Sequence, residues 1–210
     1  MTTLPKIGLI LSTTRATRFA DRPAAWLMEI AGRRADAEFE IVDLRDYPMP
    51  FFEEDRSPAW TPPANEAARA WGKKMAELDG YVFITAEYNH GIPAVLKNAL
   101  DYAYVEFNRK PATFVGYGGV GAARAIEQLR LVLAEMQVAS LKHTVHINAG
   151  EFVGLLMQGK TFADYPYLED TVGPMLDHLV WWTNTLKAGR LANDVASPNH
   201  AQAIKAVASA

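Results

Sequence analysis

Apolar positions follow two alternating rhythms along the chain. Short unbroken runs occur at Ile7 to Leu11, Phe39 to Val42, Tyr81 to Ile84, Thr113 to Val115 and Lys142 to Ile147. They are rich in β-branched and aromatic residues, and their length and type predict strands of a parallel sheet buried on both faces. Between them the period changes to that of a helix. One helix is expected to begin near Asp21-Arg22-Pro23. Ala64, Ala67, Ala68, Trp71, Met75 and Leu78 recur at helical spacing after Pro62-Pro63, and Leu96, Ala99, Leu100, Ala103 and Phe107 do so after Pro93. Proline suits the first turn of a helix. Ile126, Leu129, Leu133 and Met136 mark a fourth helix; Val172, Met175, Leu176, Leu179 and Leu186 mark the last. The resulting β-α alternation predicts a three-layer α/β fold with right-handed crossovers.

Two stretches break this rhythm. Pro48 to Pro63 holds five of the twelve prolines together with Phe51, Phe52 and Trp60. Asn148 to Pro166 contains Gly150, Gly154 and Gly159 and is expected to be a second long loop. Loops of this length serve as lids or binding surfaces. From Asn193 the chain is Ala-rich and polar, so residues 1–192 are expected to form a single domain and 193–210 a flexible tail.

A chain of 210 residues can bury about 70% of its unfolded surface and needs no disulfide or structural metal to fold. Twenty-one basic against 24 acidic residues leave a net charge of −3, which gives no support to nucleic-acid binding. Cysteine is absent, which excludes a thiol nucleophile, an iron–sulfur cluster and any cysteine-ligated zinc. The run beside Lys6 is too short for a signal peptide or membrane span, so a cytoplasmic protein without membrane association is expected. His143 and His146 stand three apart on a strand, point to opposite faces and cannot share a metal; no metal site is expected.

Candidate chemistry gathers where strands hand over to helices. Ser12-Thr13-Thr14-Arg15-Ala16-Thr17-Arg18 places four hydroxyls and two arginines between a strand and a helix N-terminus. Backbone N–H groups, the helix dipole and arginine together favour a phosphate there, although Ser/Thr capping alone would explain part of the pattern. Gly116-Tyr117-Gly118-Gly119-Val120-Gly121 matches a dinucleotide fingerprint literally. The acidic residue expected about 20 positions on is missing, however, and these glycines suit backbone approach to a flat ligand instead. The third strand runs into Glu87-Tyr88-Asn89-His90-Gly91. In the flavodoxin-like strand order 2-1-3-4-5, expected here, strands 1 and 3 flank the switch point at which ligands bind.

Glu87-Tyr88-Asn89 through Leu96-Lys97-Asn98-Ala99-Leu100-Asp101 resembles the central motif of the NADPH-dependent FMN reductase family, P-E-Y-N-x-S-x-P-x-x-L-K-N-A-x-D. Ser12 to Arg18 is similar to that family's G-S-x-R phosphate loop, and Gly118-Gly119-x-Gly121 to its later glycine loop. Ala86 and Ser12 depart from the usual proline and glycine. The resemblance implies an FMN-dependent NAD(P)H oxidoreductase passing hydride to a flavin, quinone, azo compound or metal oxyanion. It also implies a homodimer or homotetramer. The FMN-binding residues it implies are Ser12, Thr13, Arg15, Arg18, Phe19 and Ala20, then Glu87, Tyr88, Asn89, His90 and Gly91, then Tyr117, Gly118 and Gly119. No side chain acts as a general acid or base, because the cofactor carries the chemistry. Two other functions compete: an FMN electron carrier without a nicotinamide site, and a flavin-free descendant acting as an interaction protein. A carrier docking by electrostatics would usually be more acidic. Tyr102, Tyr104, Val105 and Phe107, with Phe51, Phe52 and Trp60, form an aromatic surplus expected at a subunit interface.

Overall fold

In a computed structural model, which describes residues 3–196, every predicted strand run lies within a strand. The strands are β1 (Lys6–Leu11), β2 (Glu38–Asp43), β3 (Gly80–Ala86), β4 (Pro111–Tyr117) and β5 (Ala139–Ile147). They form one sheet in the order β2-β1-β3-β4-β5, with every neighbouring pair parallel. The helices are α1 (Asp21–Ala31), α2 (Glu66–Glu77), α3 (Ala94–Asp101), α4 (Ala123–Glu135), α5 (Ala149–Met157) and α6 (Pro166–Ala196).

The period-2 alternation of each strand divides the core into two. Leu9, Val82, Ile84 and Val115 pack with α1, α5 and α6 on one face. Ile10, Tyr81, Phe83 and Phe114 pack with α2, α3 and α4 on the other. All seven residues of β3 are buried. At about 1.5–3 kcal/mol for each fully buried large apolar side chain, this central strand is the main hydrophobic anchor of the fold.

Three expectations are corrected. Residues 148–166 are not a loop, for α5 occupies Ala149–Met157 and a short 3-10 turn Phe162–Asp164. Glycine suggested a loop, but Gly154 is a contact residue: a Cβ there would strike the Tyr165 hydroxyl. The helix after Pro93 stops at Asp101 rather than reaching Phe107. The Tyr104 N–H turns to the Glu106 carboxylate (3.1 Å) instead of the helical carbonyl four residues back. Finally, α6 continues to Ala196, past the expected tail boundary at 193, and residues 197–210 lie outside the described residues.

Lys110, just before β4, is 6% exposed. Its ammonium donates to the carbonyls of Met75 (2.7 Å) and Ala76 (3.2 Å) near the end of α2. Burial, reinforced by repulsion from Arg190, pushes its pKa down to about 7, against the pull of Asp79 and Glu106. Between pH 7 and the ordinary value of 10.5 the unfolded chain therefore holds a proton that the folded chain does not. Folding stability rises with pH in that window, by at most about 1.4 kcal/mol per unit. Urea titrations at pH 7, 8 and 9 are expected to show this slope in the wild type and its loss in Lys110→Met. Parallel profiles for the two proteins would refute it.

Candidate active site

The parallel arrangement places the ends of β1, β3 and β4 side by side, and the three predicted loops converge there. The first loop leaves β1 at Ser12, whose N–H still bonds the Ile84 carbonyl of β3 (3.1 Å). The Ser12 hydroxyl is buried against the Ile10 carbonyl (3.4 Å), so its side chain is held within the strand end. Thr13 Oγ1 lies 3.2 Å from the Tyr117 hydroxyl at the end of β4, joining the first and third loops across β3. Burial pushes the Tyr117 phenol up to about 12, although the Thr13 hydrogen bond works the other way. Phe19 packs on the Tyr117 ring (5.0 Å between centroids) and on Phe152 of α5 (4.8 Å). Ala20 is fully buried at the start of α1. Phe19, Ala20 and Tyr117 thus form the floor beneath the loop.

Above that floor the loop offers donors. The N–H groups of Thr13 through Thr17 meet no protein acceptor among the described residues, and no side chain caps α1. The Arg15 side chain is exposed and makes no hydrogen bond or ion pair among the described residues. Successive free N–H groups beside a helix start and an arginine fit a phosphate.

Arg18 departs from its expected place. Its Nε donates to Asp21 (3.0 Å), and its Nη1 donates to the Thr13 carbonyl (2.7 Å) and Asp43 (2.6 Å). Its Nη2 bonds both carboxylates. All five donors of the guanidinium are engaged, leaving none for a ligand. Burial works against its charge, but the carboxylates outweigh it and raise its pKa. Asp43 is likewise pushed up by burial and drawn down further by Arg18 and the Arg45 N–H, so it stays below the usual carboxylate range.

The second loop is a tight reversal. Tyr88 and Gly91 exchange backbone hydrogen bonds of 3.0 and 3.1 Å, with Asn89 at φ 50° and His90 at φ 73° between them. Two positive φ values define a hairpin-type turn that usually ends in glycine, so His90 holds backbone strain. From α4, Gln128 Nε2 donates to the His90 carbonyl (2.9 Å). Glu87, its side chain 6% exposed, accepts the N–H groups of Arg124 (3.2 Å) and Ala125 (3.3 Å) and pairs with the Arg124 guanidinium. It caps the otherwise uncapped start of α4 from another strand. Burial raises its pKa, but the Arg124 hydrogen bond and these N–H groups outweigh that and hold it below 4.5. The Glu87 side chain is therefore a brace, and Arg124 is its partner. Tyr88 remains 38% exposed beside the turn. In the third loop Gly118 adopts φ 129°, and a Cβ at Gly118 or Gly119 would meet nothing within 4 Å. That leaves backbone open to a flat ligand.

Sequence reasoning missed Asp43, Arg45 and Gln128, and it gave Asn98 of the motif no role. Asn98 Nδ2 donates to the Pro50 carbonyl (2.7 Å), and its Oδ1 accepts the Phe52 N–H (2.9 Å). The Lys97-Asn98 pair of the recognised motif is thus partly a loop anchor. The long sequence separations of these contacts left no local pattern to find. His143 stacks on His178 (4.3 Å), whereas His146 faces the Gly121 carbonyl (2.8 Å).

The family described as NADPH-dependent FMN reductase matches residues 5–151, and the chain belongs to that family. An NAD(P)H-dependent FMN reductase of Schizosaccharomyces pombe is 40% identical over 142 residues, covering 64% of this chain and 70% of the relative. A 2-hydroxy-1,4-benzoquinone reductase of Burkholderia sp. is 31% identical over 140 residues, covering 63% and 72%. The fold matches a flavoenzyme NAD(P)H:(acceptor) oxidoreductase from Paracoccus denitrificans at a TM-score of 0.66 and 19% identity, over 87% of this chain and 98% of the other.

Glu87→Ala removes the acceptor of two helix N–H groups and is expected to destabilise the protein by about 1–3 kcal/mol at pH 7. Because the Glu87 pKa is lowered in the fold, this contribution is complete above its ordinary value and is lost as pH falls below it. Chemical denaturation at pH 7 and pH 4 checks both points, and equal stability of wild type and variant at pH 7 would contradict them.

Proposed function

We propose that the chain passes hydride from NADPH or NADH, by way of bound FMN, to a small flat acceptor such as a quinone, free flavin, azo compound or metal oxyanion. The observation that carries this reading is the convergence of three loops on one edge of the sheet. One has N–H groups and an arginine without partners among the described residues, one an exposed tyrosine beside a tight turn, and one open glycine backbone. These groups fit FMN: the Thr13–Thr17 loop and Arg15 would hold its phosphate, and Tyr88 to Gly91 with Gly118 and Gly119 would flank its ring. When bound, FMN supplies a ring that accepts hydride from the nicotinamide and gives it up to the acceptor. The residues of this chain position that ring and exclude water from it. The buried aromatic floor of Phe19 and Tyr117 keeps the loop's underside dry. Glu87 and Gln128 tie the ring loop to α4, so it offers a fixed edge. An electron carrier without a nicotinamide site is not favoured, because the relatives are named as reductases.

Three further readings belong with this one. The described residues through the end of α6 form one domain, supported by the single sheet. The absence of cysteine suits a cytoplasmic compartment. The working unit is a homodimer or homotetramer. Tyr102 and Phe107 do not support it, since both are buried, but Phe51 and Trp60 are 83% and 68% exposed. The Phe51 carbonyl is fixed by the Tyr102 hydroxyl (3.1 Å), so its ring stands in solvent on an anchored loop. Fixed, exposed aromatic rings mark a contact surface.

FMN released from purified protein, and its anaerobic bleaching by NADPH and separately by NADH, tests the activity; bound FMN that neither donor bleaches would favour the carrier. Arg15→Ala is expected to weaken FMN binding by about 1–3 kcal/mol in equilibrium dialysis. Unchanged retention would remove Arg15 from the site. Light scattering at micromolar concentration is expected to give a multiple of the 23.2 kDa chain mass, and a single monomeric species would overturn the oligomer.

A further inference from the structure

Arg45 lies outside every motif, just after β2, in a short 3-10 turn at Leu44–Asp46. Asp43 starts that turn by accepting the Arg45 N–H (2.9 Å) while it binds Arg18 through both oxygens. The Arg45 side chain reaches the first loop, which follows the neighbouring strand β1. Its Nε donates to the Thr14 carbonyl (3.4 Å), and its Nη2 donates to the carbonyls of Arg15 and Ala16, the latter at 3.4 Å. Arg18 takes the preceding carbonyl, that of Thr13 (2.7 Å). Four consecutive carbonyls are therefore held by two guanidinium groups. No peptide here is cis, and in a trans peptide the C=O and the following N–H point in opposite directions. The N–H groups of Thr14, Arg15, Ala16 and Thr17 must then turn away from the two arginines. These are the N–H groups that meet no acceptor among the described residues.

We propose that Arg45, seated by Asp43, is a positioning residue that pulls the carbonyls of Thr14, Arg15 and Ala16 outward and so aims the following N–H groups at the FMN phosphate. This rests on the reading that the first loop holds that phosphate. A flexible loop would have to order itself on binding, whereas a loop fixed by its carbonyls avoids that cost. The guanidinium's planar fork allows one side chain to span three carbonyls. Lysine, a point donor, cannot replace it in that role.

The test compares flavin-free wild type, Arg45→Ala and Arg45→Lys, titrated with FMN and with riboflavin, which has the same ring and no phosphate. Wild type is expected to prefer FMN. Arg45→Ala is expected to lose about tenfold in FMN affinity through loop disorder, with riboflavin affinity and melting temperature unchanged. Arg45→Lys, which keeps the charge, is expected to recover little of the loss. A wild-type preference for FMN that survives intact in Arg45→Ala would overturn the proposal, as would a parallel loss of riboflavin affinity. Full recovery in Arg45→Lys would reduce Arg45 to a distant charge and overturn it equally. Wild type binding FMN no better than riboflavin would instead remove the phosphate reading, and the positioning role with it.

Discussion

Burial of the sheet on both faces is the constraint from which the rest follows. A strand enclosed by helices on each side cannot carry exposed polar side chains, and β3 has none. Polar function is therefore displaced to the strand ends. Because all five strands run the same way, their carboxyl ends share one edge and their following loops meet there. The crossovers that enforce the parallel order also deliver helix starts to that edge. The site is thus a by-product of burial as much as of its own residues.

Within that edge, charge is arranged in a way that composition alone would misjudge. Two arginines belong to the first loop and a third reaches it from the turn after β2, yet only Arg15 is left without a protein partner among the described residues. Asp21 and Asp43 neutralise Arg18, which converts a would-be ligand group into a strut. On the proposed reading, the affinity of the loop for a phosphate would rest mainly on oriented peptide dipoles. Those are worth most where water is excluded and where no reorganisation is needed on binding.

The fold was largely legible because periodicity is local. A period of two or of 3.6 needs only neighbouring residues, so strands, most helices and the positions of the three loops followed from pattern. Family resemblance supplied the cofactor. What escaped notice depended on distant partners. Arg18 read as a phosphate ligand because Asp43, 25 residues on, has no visible relation to it in sequence. The capping role of the Glu87 side chain went unread because the helix start it caps lies 37 positions away. The α5 helix was hidden by Gly154, whose reason for being glycine is the tyrosine hydroxyl beside it. A close approach and a flexible turn leave the same letter in the chain.

The proline-rich loop is held at its tip by bonds from Asn98 and Tyr102 to the carbonyls of Pro50 and Phe51 and the N–H of Phe52, and by the Phe52 ring against that of Tyr102. Such anchors do not read the identity of residue 51. Its side chain can be exchanged by mutation while the loop keeps its path, and the sheet edge that holds the site is untouched. In evolutionary terms the surface at this tip is uncoupled from the catalytic scaffold. Descendants of this chain can change the chemistry of that surface, one residue at a time, while the loop keeps its path.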